Sequence, residues 1–479
     1  MTRRTFLILT AAAGAGAIAG ASGRTLRGAR FSSANGLLTA SIEAGPAVVP
    51  LAGSAIQLYG FNGLVPGPAL EARAGDLIRL AFHNNLPEPT NLHYHGLHVP
   101  PTGRADNVFL EIPPGERWAY EFTIPRSHPA GLFWYHPHLH GRVARQVGRG
   151  LAAPFIVRGE LDAIPEVAAA REHILVLQDF DVAGNGAVRE PGMMERMQGR
   201  EGWLQTTSGQ EGLTLPVLDG SLLRLRLLNA SPSRHYRLAI EQHPMHLIAG
   251  DGGGLPAPQA LEELLLAPGE RADVLVSGGR REGSFRLLAL PYDRGRMGMG
   301  MGGGMGREAS LPLTLATIQY QGRAARTLPL PTRLITVDPL PAPVRVRRFV
   351  LGMSMGRGVA FTIDGRQFDH HRVDTAVRLG DVEEWEYVNT MPMDHPMHLH
   401  TNAFQIVSPG GGPERSWKDV VQVKRNSWAR VRVAFRDFEG RTVQHCHILD
   451  HEDLGMMSLV EMRPSRGATG LNEAPAPPD

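Results

Sequence analysis

A chain of 479 residues with 42% hydrophobic content exceeds one compact domain and can bury two or three separate cores. Its formal charge is only +2 and it carries no long basic run, which speaks against nucleic acid as a partner. With 56 Gly and 37 Pro punctuating short apolar stretches, the composition points to an all-β chain rich in turns.

Residues 1–23 run from Thr2-Arg3-Arg4-Thr5-Phe6-Leu7 through a weakly apolar Ala/Gly stretch to small residues between Ala17 and Ala21, a pattern that resembles a twin-arginine signal peptide. The run is weakly hydrophobic for a membrane span of roughly 20 residues. It implies delivery by the twin-arginine export machinery to the periplasm or the extracellular space. No other stretch is apolar enough to cross a membrane. An exported compartment permits disulfides, yet Cys446 is the single cysteine, so no internal disulfide can form and that residue needs another explanation.

Three later segments share one pattern. Gly75 leads through Leu77–Phe82 to Asn84, Gly220 through Leu222–Leu228 to Asn229, and Gly380 through Val382–Val388 to Asn389, with Gly and Asn nine apart each time. Pro114-Gly115-Glu116-Arg117 is echoed by Pro268-Gly269-Glu270-Arg271, each opening a run that reads as a strand. The Gly anchors lie 145 and 160 residues apart, which are domain lengths. Apolar residues alternate at Trp118, Tyr120, Phe122 and Ile124, and again at Ala429, Val431, Val433 and Phe435, as in half-buried strands of β-sandwiches. Domains are expected at 30–160, 161–335 and 340–464, followed by a disordered Ala/Gly/Pro-rich tail at 465–479. Within the second, residues 294–306 form a Gly/Met-rich stretch expected as a mobile loop or hairpin tip, because so much glycine cannot support an ordered core.

Of the 20 histidines, ten fall into four motifs that also contain the only cysteine: His93-Tyr94-His95, His136-Pro137-His138, His395-Pro396-Met397-His398-Leu399-His400, and His445-Cys446-His447 with His451. Residues two apart on a strand share a face, so each His-x-His pair can aim two imidazoles at one place. One pair alone would read as core or solvated histidine. Four pairs, two early and two late in the chain, predict a site between the first and third domains that holds more than one borderline metal. Cys446 must then face the other side of its strand. With His395, His451 and Met456 it forms the His₂Cys-plus-weak-Met set of a blue-copper electron-transfer site, whereas packing as a buried thiol is the plainer alternative.

The combination His445-Cys446-His447, His451 and Met456 makes the chain similar to the three-domain multicopper oxidases, of the bacterial laccase and cuprous oxidase group, over essentially its whole length after the leader. That resemblance implies three consecutive cupredoxin-like Greek-key β-sandwich domains and four copper ions. It places one type 1 ion on His395, Cys446, His451 and Met456, one type 2 ion on His93 and His398, and a type 3 pair on His95, His136, His138, His400, His445 and His447. It also implies a monomer that couples four one-electron oxidations of a donor to reduction of dioxygen to water.

Reduction of dioxygen consumes protons, so a carboxylate relay is useful; Asp106 and Glu452 stand where the family carries such acids, with surface charge as the alternative for each. His98 and His140 read as hydrogen-bonding neighbours of the ligands. His243-Pro244-Met245-His246 echoes the later motif without a cysteine, which makes the middle domain a copper-free spacer. Thioether sulfur selects Cu(I), so Met297, Met299, Met301 and Met305 suggest a loop that delivers Cu(I); a lid over a phenol or aromatic amine pocket and an insertion without a role remain open. A copper nitrite reductase needs neither four His-x-His pairs nor three domains. A non-enzymatic cupredoxin-like copper carrier or envelope interaction protein would be expected to have lost ligands.

Overall fold

The computed structural model describes residues 29–278, 282–297, 311–324, 326–356, 358–409 and 412–465. They form three successive pairs of facing sheets: a five- and a four-stranded sheet between Arg30–Ser32 and Ala153–Arg158, a six- and a five-stranded sheet between Arg171–Phe180 and Leu313–Arg323, and two five-stranded sheets between Arg345–Ser354 and Met457–Arg463. Each pair closes on its own apolar core, around Phe82 and Tyr94 in the first, Leu225 and Val274 in the second, and Trp385 and Phe404 in the third. Burial of each such side chain contributes about 1.5–3 kcal/mol, and this is what makes each sandwich cohere. The fold is all-β and cupredoxin-like, as expected.

The repeated Gly-to-Asn segments are the same strand in each sandwich. Leu77–Asn84, Leu222–Asn229 and Val382–Asn389 each run parallel to one neighbour and antiparallel to another. Gly75, Gly220 and Gly380 turn into them at φ of 93°, 80° and 89°, the left-handed region where a Cβ is costly. At the far end each Asn side chain ties off the next loop. Asn84 Nδ2 donates to the carbonyls of Glu88 and Ile112, Asn229 Nδ2 to those of Arg234 and Leu266, and Asn389 Nδ2 to those of Met393, Val423 and Lys424. In the third sandwich that tie sets the approach to His395.

The first and third sandwiches meet where their histidine strands lie. Beside this seam, helix Val143–Gly148 packs on helix Leu449–Asp453 through Val143, Ala144, Val147 and Leu449, and Asp453 accepts the backbone N–H groups of Val143 and Ala144. The second sandwich contributes helix Met193–Gln198, which covers the third.

The Gly/Met-rich stretch departs from expectation at its start. Arg294, Gly295 and Met297 are buried, and only Arg296 of the first four residues is exposed. The reason is polar satisfaction: Arg294 donates to the carbonyls of Gln198, Gly199 and Ser233, while the Met297 backbone pairs with the Gln198 side chain. Met299, Met301 and Met305 lie outside the described residues, as do the leader 1–23 and residues 466–479 of the tail.

Candidate metal centre

The local register aligns the histidines before any domain contact is considered. His93 lies opposite His136 in the pairing of His93–His95 with Gly131–His136, and His398 lies opposite His445 in the pairing of His395–Leu399 with Gly440–Cys446. All eight of His93, His95, His136, His138, His398, His400, His445 and His447 are buried at the seam. Rings from the two sandwiches stack across it, His93 on His400 and His95 on His398, each with centroids 3.8 Å apart. Nitrogens of His93, His95 and His136, of His93, His398 and His400, and of His138, His400 and His445 form three overlapping triads within 4.8 Å.

Outer partners determine which nitrogen of each ring faces inward. His93 Nδ1 donates to Asp106, His136 Nδ1 to the Pro137 carbonyl, and His398 Nδ1 to the Asp419 carbonyl, each leaving Nε2 free. His445 Nδ1 donates to the Cys446 carbonyl at 3.1 Å and also lies 3.0 Å from Glu452. His95 is reversed: Nε2 donates to Asp419 at 3.0 Å, and Nδ1 faces inward. The inward nitrogens of His93, His95, His136 and His398, together with both nitrogens of His447, are buried with no hydrogen-bond partner among the described residues. Nε2 of His445 lies 3.1 Å from that of His138 and 3.0 Å from that of His400, three converging ring nitrogens of which one N–H···N bond can pair only two.

Burial, reinforced by neighbouring imidazoles, holds His93, His95, His138, His398, His400 and His447 well below the usual histidine range, and burial pulls His136 down to about 3. Burial thus favours the neutral form of these seven rings, the form that binds metal. So many orphaned inward lone pairs are costly unless cations fill the space between them, and the donor set fits a multinuclear copper site.

The second group lies on the opposite faces of the same strands. Cys446 lies opposite Met397, one residue out of phase with the His398–His445 pair. Its sulfur is 3.4 Å from His395 Nδ1 and 3.9 Å from His451 Nδ1, and the two Nδ1 atoms are 3.4 Å apart, a spacing that one ion with bonds of roughly 2.0–2.3 Å can span. The Ile448 N–H points at the sulfur, and the Met456 carbonyl accepts the Cys446 N–H. Met456 is buried in the same cluster. Burial lowers His395 to about 3 and His451 well below normal, and it pushes the Cys446 thiol up, so metal binding must displace that proton. A purely packing cysteine would not face two imidazole nitrogens.

Both expected acids are buried and touch the cluster. Asp106 accepts from His93 and from the Tyr94 N–H, and burial raises its carboxyl to about 7. Glu452 lies against His445 and, at 3.4 Å, against His138. His98 bridges to the third sandwich through the Thr401 carbonyl and Asp437. His140 departs from its expected role: it packs on Phe368 and His370, and its Nδ1 has no hydrogen-bond partner among the described residues.

The middle sandwich is more than a spacer. A Cβ at Gly269 would lie 2.8 Å from the His447 ring, so only glycine lets that imidazole stand where it does. The Met197 carbonyl accepts from His451 Nε2 at 3.1 Å, and buried Arg294 adds positive charge beside His395 and His451. Asp419, Arg271, Met197 and Arg294 escaped the sequence reading. The Pro-Gly-Glu-Arg echo marked Arg271 as part of a repeat, whereas a lone aspartate such as Asp419 carries no spacing signal.

Family profiles described as multicopper oxidase match residues 45–162, 179–323 and 342–466. A multicopper oxidase mco of Staphylococcus haemolyticus is 27% identical over 416 residues, covering 84% of this chain and 83% of the relative. The cell division protein FtsP of Dickeya dadantii is 30% identical over 427 residues, covering 86% of each. A solved structure described as a multicopper oxidase from Campylobacter jejuni, a metallo-oxidase, superposes with a TM-score of 0.79 at 29% identity, covering 92% of this chain and 96% of that one.

Proposed function

Because the chain belongs to the multicopper oxidase family, we propose that it takes single electrons from a reducing donor at the Cys446 site and delivers them to dioxygen at the eight-histidine cluster, forming water. In this reading His395, Cys446, His451 and Met456 hold a type 1 copper, His93 and His398 a type 2 copper, and His95, His136, His138, His400, His445 and His447 a type 3 pair. Bound copper supplies the one-electron redox chemistry and the affinity for dioxygen. The observation that carries the reading is the set of buried imidazole nitrogens of His93, His95, His136, His398 and His447 that face the seam with no partner among the described residues.

The chain supplies the wiring, the dryness and the protons. Cys446 is joined through its own peptide bonds to His445 and His447, so donor oxidation and dioxygen reduction are separated by one residue. Complete burial of the cluster keeps bulk water out. Four protons are consumed per dioxygen. Asp106 and Glu452 are the groups we assign to relay them, Asp106 through Oδ2, the oxygen that the Tyr94 N–H leaves free, and Glu452 from its position against His445 and His138. Glu452→Gln and Asp106→Asn are each expected to lower oxygen consumption by about 10²–10⁴-fold while the blue absorption of the Cys446 site persists. Unchanged turnover in both would remove the acids from the mechanism.

Cu(I) is the donor we propose, ahead of phenols and aromatic amines. Met194 and Met297 line one cleft, and Met297 and Met197 pack in the same buried cluster as Cys446, with the Met197 carbonyl touching His451, so soft thioethers lie close to the Cys446 site. Deletion of residues 298–306, sparing the buried 294–297, should lower kcat/KM for Cu(I) and leave that for 2,6-dimethoxyphenol unchanged. Equal kinetics for Cu(I) before and after deletion would take the loop out of substrate delivery. Export through the twin-arginine route is part of the same proposal, and a reporter fused behind residues 1–23 tests it.

The similarity to FtsP favours a second reading, an envelope protein that works by interaction. The two separate on one assay: a purified chain that neither retains copper nor consumes oxygen with Cu(I) or a phenol belongs to the second.

A further inference from the structure

Arg271 lies in the middle sandwich, which carries none of the candidate ligands, yet it is fully buried beside the cluster. All five of its N–H bonds are used. Nε donates to the Leu132 carbonyl of the first sandwich; Nη1 donates to the Gly269 carbonyl and to Asp419 Oδ1 at 2.7 Å; Nη2 donates to the Asp251 carbonyl and to Asp419 Oδ2 at 2.6 Å. One guanidinium therefore ties together all three sandwiches. Its plane also faces Phe133, 5.8 Å from the ring centroid.

The grip on Asp419 has a chemical consequence. Oδ1 of Asp419 is the acceptor for His95 Nε2–H, and the backbone carbonyl of the same residue is the acceptor for His398 Nδ1–H. A carboxylate free to rotate could offer either oxygen in many directions. Held by two parallel charge-assisted bonds, it can offer one. An independent feature says that this pair is fitted closely: Gly96, directly after His95, has φ of 86°, and a Cβ there would fall on Arg271 Nη2 and Asp419 Oδ2.

We propose that Arg271 is a positioning residue for the eight-histidine cluster: by clamping Asp419 it holds His95 as the Nε2–H tautomer with Nδ1 turned inward, and it makes the cluster between the first and third sandwiches depend on the second. The copper arm of this proposal rests on the metal reading above, while the tautomer arm does not. Lysine cannot replace arginine here, since an ammonium is a point donor without the planar fork.

The test compares wild type with Arg271→Lys, Arg271→Met and the double variant Arg271→Met/Asp419→Asn, the last of which leaves no unpaired buried charge. Copper per chain and the spectroscopic signals of the type 2 ion and type 3 pair report the cluster. The blue absorption of the Cys446 site reports folding of the third sandwich. Arg271→Lys and the double variant should weaken cluster copper by about 10–100-fold with the blue absorption unchanged, the scale typical of lost outer partners. Imidazole ¹⁵N shifts of the metal-free chain should show His95 protonated on Nε2 in wild type and as a tautomer mixture in Arg271→Lys.

Cluster signals and His95 shifts that stay at wild-type values in Arg271→Lys and in the double variant would overturn the proposal. So would loss of blue absorption and cluster copper in equal proportion in both, because Arg271 would then serve folding alone. If wild type shows the Nε2–H tautomer but binds no copper, the functional reading fails while the positioning role stands.

Discussion

Cys446→Ser should abolish the blue colour and lower oxygen consumption by more than about 100-fold, beyond the usual cost of disturbing an outer partner of a metal site, while the cluster still takes up copper. Serine is nearly the same size and keeps the backbone bond from residue 446 to the Met456 carbonyl, so the strand Gly440–Cys446 keeps its register. What disappears is the soft sulfur that His395 and His451 face, since a hydroxyl is a poor ligand for the metals that thiolate selects. The histidines at 445 and 447 lie on the other face and do not contact the replaced atom. Copper content and cluster spectra should therefore survive in a protein that no longer turns over. A variant that stays blue would show that the sulfur is not a ligand, and one that loses all its copper would show that the two sites do not load independently.

The largest stability loss is expected from Arg200→Met. Asp450 is fully buried and accepts three bonds from Arg200, from its backbone N–H at 3.0 Å, from Nε at 3.0 Å and from Nη2 at 2.8 Å. Removing the guanidinium leaves the carboxylate with the residue 200 backbone N–H and, as its one remaining cation among the described residues, Arg196 at 3.6 Å, and breaking one side of such a buried pair costs about 3–5 kcal/mol. Asp450 lies in helix Leu449–Asp453, which also carries His451 and Glu452, so loosening it disturbs both centres. Denaturant unfolding of the copper-free chain measures the loss. Adding Asp450→Asn should recover part of it by removing the stranded charge; no recovery would mean that packing of the Arg200 side chain, and not the ion pair, carries the stability.

Much of this architecture was legible in one dimension because it follows from strand periodicity. The Gly-to-Asn repeat identified the central strand of each sandwich, and its recurrence reflects a turn that needs positive φ at one end and a buried amide that ties off loop carbonyls at the other. The spacing within His395-Pro396-Met397-His398-Leu399-His400 is explained by the same rule. Residue 395 is an odd number of positions from 398 and 400, so one short strand supplies ligands to a centre on each of its faces. The Met-rich stretch was misread at its start because composition reports glycine content and not the carbonyls that Arg294 finds in helix Met193–Gln198 and at Ser233.

By itself the sequence determined which residues could be ligands, which pairs share a face, and that one cysteine stands back to back with two histidines. These are local properties, set by alternation along a strand and by the softness of each donor atom. Tertiary structure alone decided that the early and late pairs converge, that Glu452 and Asp106 are buried against imidazoles, and that His95 turns Nδ1 inward while its neighbours turn Nε2. Those outcomes depend on hydrogen-bond partners as distant in the chain as Asp419 is from His95, and on an arginine from a sandwich that holds no candidate ligand. No local spacing can encode them, because the orientation of a ring is set by whatever acceptor the folded chain brings to its outer edge.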